Sequence, residues 1–318
     1  MMQPPFKNFH VGIKLILIFC LFVVNMSGMT YLAYLTVGPL FGISNAAAIT
    51  SGALNTLADV NAFLYIQAMS SLGGFALTSL MFERLNSYTP VANLGLRATP
   101  SIKMLLLALV SVLVAQFFIE FLVTINKAAN LPPSIAQTFK EAQERAEGII
   151  NKLIDFKDPI RLIPVAFVMA VVPAVGEELF FRGLLMGTFL RAKMHPIIAI
   201  ILSGFLFSII HFEFDNTLAI WVLGSFLGYL YYVSGSLWLP IAAHFVNNFL
   251  TVLLKYLFNI GVISADMAEA DTPWYATVIS VVLFAGCLYL FNKWKTPANF
   301  DEEDEDDNNT ESELIPVQ

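Results

Sequence analysis

Residues 161–187 read RLIPVAFVMAVVPAVGEELFFRGLLMG. The run is apolar over a length that crosses a hydrocarbon core of about 30 Å, at about 1.5 Å per residue. Yet it holds two adjacent carboxylates, Glu177 and Glu178, and a guanidinium, Arg182. Charges inside a span are costly, so they mark function unless they merely neutralise one another. The spacing separates two jobs. Glu178 and Arg182 are four apart, share a helix face and can pair. Glu177 is turned from Glu178 by about 100° and can point elsewhere. Gly176 and Gly183 flank the acidic pair and permit close backbone approach or local unwinding, and Pro173 sets a kink just before it.

Outward from this run the chain keeps the same character. Its 318 residues are 57% hydrophobic and 13% charged, about half the charged fraction of soluble domains. Apolar stretches lie near 11–36, 60–82, 103–124, 161–187, 195–212, 216–234, 237–258 and 274–292. The expected fold class is therefore all-α: a polytopic membrane bundle of about eight transmembrane helices. The first stretch is long enough to span and lacks a small-residue cleavage site, so it reads as a span rather than a cleaved signal. Segments 37–59 and 83–102 read as loops. Over 125–160, Ile135, Phe139, Ala142, Ala146, Ile149, Ile150 and Leu153 recur at helical spacing among Lys140, Glu141, Glu144, Arg145 and Glu147. That pattern predicts an amphipathic helix outside the bilayer core or on its surface.

The net charge of −7 belongs to the tail: residues 301–318 hold nine acids and no base. The other 300 residues carry 17 bases against 15 acids, a balance of +2. The tail reads as solvated and disordered. No basic patch lies outside the membrane flanks, which excludes nucleic acid as a partner and leaves membrane lipids. Cys20 and Cys287 sit in apolar runs and form no metal-site spacing. Lys7, Lys14, Arg84, Arg97, Lys103, Arg191, Lys193, Lys293 and Lys295 fall on one side of the membrane, and the short loops of the other side have no Lys or Arg. Both termini are therefore expected in the cytoplasm. Trp221, Trp238 and Trp274 read as interface anchors.

Two later spans carry more polar groups. The fifth ends in Phe207-Ser208-Ile209-Ile210-His211, and the seventh holds His244-Phe245-Val246-Asn247-Asn248. Measured from the cytoplasmic helix ends, Glu177, His244 and Asn248 lie about 10–18 Å deep, and His211 somewhat deeper. Three helices thus bring polar groups to one level, and His244 and Asn248 share a face. A carboxylate and an imidazole can orient and deprotonate a water for attack on a carbonyl. A second His with an Asn can donate to the developing oxyanion. Taken singly, each motif has an ordinary reading: a neutralised ion pair, an interfacial His, or interhelical hydrogen bonding. Their combination argues for a site. Glu120 with Gln116, His10, His195 and Asn247 read as structural or interfacial.

The ordered set of Glu177, Glu178 and Arg182, then Phe207 and His211, then His244 and Asn248 resembles the CPBP family. That family groups CAAX prenyl endopeptidases with bacteriocin-processing and immunity proteins and is also called Abi. The resemblance covers roughly residues 160–260 and leaves spans one to three and eight outside it. It implies an eight-helix bundle with a cavity open toward the cytoplasm, and an intramembrane endopeptidase. Glu177 and His211 would activate water, His244 and Asn248 would hold the oxyanion, and Glu178, Arg182 and Phe207 would support them. The substrate would be a membrane-associated peptide or the CAAX-like C-terminal part of a lipid-modified protein, in a bacterial inner membrane. A metal-free mechanism without cofactor is expected. The alternative is zinc on Glu177, His211 and His244, although there is no His-Glu-x-x-His pair and Asn is an uncommon ligand. The implied organisation is an N-terminal membrane region (1–159, with the external segment 125–159), a protease-like core (160–260), a final span (261–293) and the tail (294–318). Two other functions compete: a non-catalytic scaffold or bacteriocin-immunity protein of the same fold, and an ion-relay transporter, for which the paired repeats are missing.

Overall fold

The computed structural model describes residues 3–128, 132–156, 158–264 and 272–295. The acidic tail, the acidic loop residues Asp266, Glu269 and Asp271, and Lys157 lie outside the described residues. Among the described residues there is no strand. The longer helices are α1 (Val11–Phe41), α2 (Leu57–Asn86), α3 (Ile102–Val114), α4 (Gln116–Lys127), α5 (Pro133–Ile154), α6 (Pro159–Arg191), α7 (Pro196–Ile209), α8 (Phe214–Ser234), α9 (Trp238–Asn259) and α10 (Trp274–Trp294), and short helical turns at Ala46–Thr50 and Pro90–Asn93 interrupt the segments expected as loops. Six of them are long and apolar enough to cross a membrane, and α3 with α4, bent by 44°, makes up to seven. The protein is an all-α polytopic membrane bundle.

Local chemistry sets the helix ends. The His10 side chain accepts from Gly12 N at 3.2 Å and caps α1, a role beyond the interfacial one expected for it. Thr56 and Asp59 form a reciprocal capping box at the start of α2. Helix α1 runs five residues past the expected end at 36, through Pro39, and closes at Gly42 in the left-handed conformation.

Hydrogen bonds sort the loops into two ends. At the near end Phe6 N donates to Leu85 O at 3.0 Å, and Leu237 N donates to Gly95 O at 2.9 Å. There Arg191 Nη2 also meets the buried Glu83 Oε1 at 2.5 Å. At the far end Lys152 Nζ donates to Gly52 O at 2.8 Å, Asn259 Nδ2 to Ile154 O at 2.9 Å, and Asn126 Nδ2 to Phe214 O at 2.5 Å. The chain thus passes between the ends eight times, α3 and α4 counting as one pass. Helix α5 lies at the far end, as its amphipathic pattern predicts, with Leu153 and Ile154 buried.

The fifth pass is the short one. Helix α7 has 14 residues and rises only about 21 Å. Glycines hold it against α8: a Cβ on Gly224 would stand 3.1 Å from Gly204 Cα, and one on Gly204 would be 2.5 Å from Ser225 Oγ. Small residues at a crossing let backbones approach, as is common between membrane helices.

Candidate active site

Helix α6 carries the first motif. Wide π-turns occupy Phe167–Val171, before Pro173, and Leu179–Met186, directly after the acidic pair. The helix therefore continues through Pro173 as one span and takes up the missing backbone donor by local widening, a device frequent at functional sites. Glu178 and Arg182 are both fully buried and meet at 2.6 Å through Oε1 and Nη1. Arg182 Nη2 donates to Gly224 O at 2.7 Å, and its guanidinium carbon lies 4.5 Å from the Phe207 ring centre. Phe207 thus packs as a lid on the ion pair.

His244 joins this network from α9. Its Nδ1 is 2.8 Å from the same Glu178 Oε1 that Arg182 holds. A carboxylate paired with a guanidinium accepts, so Nδ1 carries the proton and donates. The other nitrogen, Nε2, lies 3.9 Å from Glu177 Oε2. That Glu177 oxygen is buried and has no hydrogen-bond partner among the described residues. A neutral His244 in this tautomer presents a lone pair, not a donor, at Nε2. Donation to an oxyanion from that atom requires a second proton on the ring, a condition the spacing of the motifs does not reveal.

His211 lies half-buried in the turn that follows α7. Its Nδ1 is 2.8 Å from Phe207 O. A carbonyl only accepts, so Nδ1 is the protonated nitrogen and Nε2 is left as a base. The next residue, Phe212, has φ +51°. A bulky side chain in the left-handed region costs on the order of 1–3 kcal/mol and clusters at functional sites. On α9, Asn247 Nδ2 donates to Asn248 Oδ1 over a long 3.4 Å, which directs the Asn248 amide hydrogens away from it. Asn247, expected to be structural, is a neighbour of the site.

Glu177, His211 and Asn248 line one cavity of about 440 Å³. Phe207, Glu178, Arg182 and His244 form the wall behind it. Helices outside the motif segment complete the lining with Met26 of α1 and Gln67, Ser70, Ser71 and Phe75 of α2. Two charged residues that the sequence reading did not select also line it: Glu213 and Lys255. Lys255 was within reach of that reading, because it is an ionisable residue in an apolar run, two turns from Asn248 on the same face. Glu120 and His195 do not line the cavity. Among the described residues, no group of three His, Cys, Asp or Glu side chains is placed to hold a metal ion, so the zinc set of Glu177, His211 and His244 is not preformed.

Residues 159–250 match the Rce1-like family, described as type II CAAX prenyl endopeptidase Rce1-like. The matched segment opens at the first residue of α6 and closes two residues after Asn248, so it holds all three motifs. Two proteins of Bacillus subtilis (strain 168) are similar to this chain. The uncharacterized protein YyaK is 30% identical over 149 residues, 42% of this chain and 50% of YyaK. YdiL, by name a candidate membrane peptidase, is 27% identical over 99 residues, 31% of this chain and 40% of YdiL. The chain spans half or less of the length of these curated relatives. No solved structure matches it. The three-motif segment of this integral membrane protein thus matches the Rce1-like family, in keeping with the CPBP proteins that its motifs resemble.

Proposed function

We propose that this chain is an intramembrane endopeptidase that hydrolyses a peptide bond of a membrane-associated substrate by a water activated between Glu177 and His211. The observation that carries the reading is the shared cavity. Glu177 lines it with a carboxylate whose buried Oε2 has no hydrogen-bond partner, and His211, its Nδ1 engaged, lines it with Nε2 left as a base. The carboxylate takes a proton as water oxygen bonds to the carbonyl carbon. The same proton then passes to the amide nitrogen as the C–N bond breaks, and two chain ends leave. The Asn248 amide donates to the oxyanion. His244 assists once doubly protonated. Glu178 and Arg182 fix the ring and do not touch substrate. In this reading residues 160–260 are the catalytic core and both termini are cytoplasmic in a bacterial inner membrane. In this reading the mechanism is metal-free.

The test is cleavage of quenched-fluorescent, membrane-anchored peptides by purified protein in proteoliposomes. Glu177→Gln and His211→Ala should each abolish it, and a chelator should leave the wild type unaffected. Loss with chelator and recovery with zinc would move the same residues to metal ligation. Cleavage that survives Glu177→Gln would sink the reading and leave a scaffold or immunity protein of this fold.

A further inference from the structure

One charged side chain of the cavity wall has no task in the proposed chemistry. Lys255 of α9 is partly buried and lines the cavity together with Glu177, His211 and Asn248. It is the one Lys or Arg in that lining, and it has no hydrogen bond or ion pair among the described residues. Other donors of the wall are engaged locally. Ser70 Oγ donates to Ile66 O at 2.8 Å, and Thr251 Oγ1 donates to Asn247 O at 3.1 Å. Glu213 lines the cavity too, but its Oε2 accepts from Asn216 Nδ2 at 2.7 Å. Lys255 also borders an adjoining cavity, where the Lys152 ammonium is engaged with Gly52 O at 2.8 Å and Asp155 makes no ion pair with Lys255. An ammonium offers three donors and no acceptor. Leaving it unpaired beside Leu153, Ile154 and Val252 is unfavourable. An anion carried in by a bound molecule offsets that cost.

Position says which anion. Lys255 stands seven residues after Asn248, which puts it on the same helix face and about 10 Å further along the axis. Side chains lean toward the helix N-terminus, so the ammonium is carried back toward the level of Asn248. An extended peptide advances about 3.3 Å per residue. The remaining charges of the lining, Glu177 and Glu213, are carboxylates. They repel an anion at any other register, so attraction and repulsion select the same placement. Lys255 lies five residues beyond the segment that matches the Rce1-like family.

We propose that Lys255 is a specificity-determining residue: its ammonium pairs with a carboxylate of the peptide within about three residues of the scissile bond, from an Asp or Glu side chain or from the chain end. That such a peptide is a substrate rests on the proposed peptidase reading; the charge preference is a property of binding.

The test uses quenched-fluorescent peptides anchored at the N-terminus and amidated at the C-terminus, with Asp, Asn or Lys at successive positions on either side of the cleaved bond. Wild type, Lys255→Met and Lys255→Glu are compared as full chains in phosphatidylcholine proteoliposomes. Wild type should prefer Asp over Asn at one position by about 10–100-fold in kcat/KM, as for a hydrogen bond to a charged group, chiefly through KM. That ratio should fall to about one in Lys255→Met, and Lys255→Glu should prefer Lys at the same position. A purely structural role lowers cleavage of all peptides alike and reverses nothing. A free C-terminal acid preferred over its amide, with the preference lost in Lys255→Met, would assign the chain end as the source of the carboxylate. Cleavage with an Asp preference that survives Lys255→Met, or with no preference for either carboxylate, would overturn the proposal and leave the peptidase reading intact. An effect of Lys255→Met seen only with anionic lipid would assign the ammonium to head groups and overturn it as well. If wild type cleaves nothing, the peptidase reading fails, and fluorescence anisotropy of the same peptides on Glu177→Gln reads the preference as binding. Tighter binding of the Asp or free-acid peptide, lost on adding Lys255→Met, would support the site; equal binding would overturn it.

Discussion

Adjacent residues on α6 divide the molecule. On the near side of the Glu177–Glu178 step, Glu178 is fully buried and shares one oxygen between Arg182 at 2.6 Å and His244 at 2.8 Å. On the far side, Glu177 keeps a buried oxygen with no hydrogen-bond partner and faces a cavity of about 440 Å³. Glu178 Oε2 is also buried without a partner, so what separates the two carboxylates is their surroundings: Glu178 is clamped between a guanidinium and an imidazole, and Glu177 lines the cavity. Buried polar groups are normally paired, and of these two carboxylates, each with an unpaired oxygen, Glu177 is the one that lines a cavity. The same turn of helix supplies both because about 100° separates consecutive side chains.

The largest expected effect breaks this contrast at the available carboxylate. Glu177→Gln keeps the shape of the side chain and removes the base. Cleavage should fall by about 10²–10⁴-fold, the usual contribution of a positioned general base, while the Tm in detergent stays within error of wild type. A matching loss of Tm would mean that Glu177 is structural like its neighbour. Next comes the sealed side. Arg182→Ala leaves Glu178 buried without its cation, a change that costs about 3–5 kcal/mol when one partner of a buried pair is removed. A Tm close to wild type in thermal unfolding would show that the pair is not closed in the folded protein. Asn248→Ala should follow, with kcat lower by about 10²–10³-fold, as for loss of one oxyanion donor, and KM little changed. An effect confined to KM would turn Asn248 into a binding residue.

The backbone contact beneath the network should respond more weakly. A Cβ on Gly224 would meet Phe207 Cδ1 at 3.0 Å and Gly204 Cα at 3.1 Å. Gly224→Ala should therefore cost about 1–3 kcal/mol through overpacking. Because the Gly224 carbonyl also accepts from Arg182, the loss should shrink when Arg182→Ala is already present. Additive effects in that double-mutant cycle would disconnect the helix crossing from the ion pair.

Much of this was legible in the sequence. Hydropathy locates every pass, and the spacing of Glu178 and Arg182 foretells their pairing. What escaped depends on packing between distant segments. Ala115 gives no notice that α3 and α4 meet at 44°. Nothing in Met26, Gln67 or Ser71 marks them as cavity lining, because that role arises from where α1 and α2 lie against α6. The side on which the cavity is hollow was equally hidden. Depth along a helix follows from counting residues, but which side is filled depends on Phe181 and Leu184 meeting Phe82 and Leu94 from another helix. The tautomer of His211 needed the Phe207 carbonyl at 2.8 Å, which only the turn after the short α7 provides.

The smallest effect tests whether environment, rather than spacing, separates the two kinds of charge. Lys140 and Glu144 on α5 have the same four-residue spacing as Glu178 and Arg182, but they stand 3.9 Å apart with side chains 71% and 65% exposed. Water already solvates both groups, and holding two long side chains in one geometry offsets most of the attraction. Lys140→Ala should leave Tm and cleavage unchanged within error, and raising the salt concentration should make no difference to that outcome. A clear loss of Tm would mean that α5 rests on its charged face, against lipid head groups or against the bundle. The part of the cavity wall formed by Ile150, Leu153 and Ile154 would then be held by electrostatics as well as by the burial of Leu153 and Ile154.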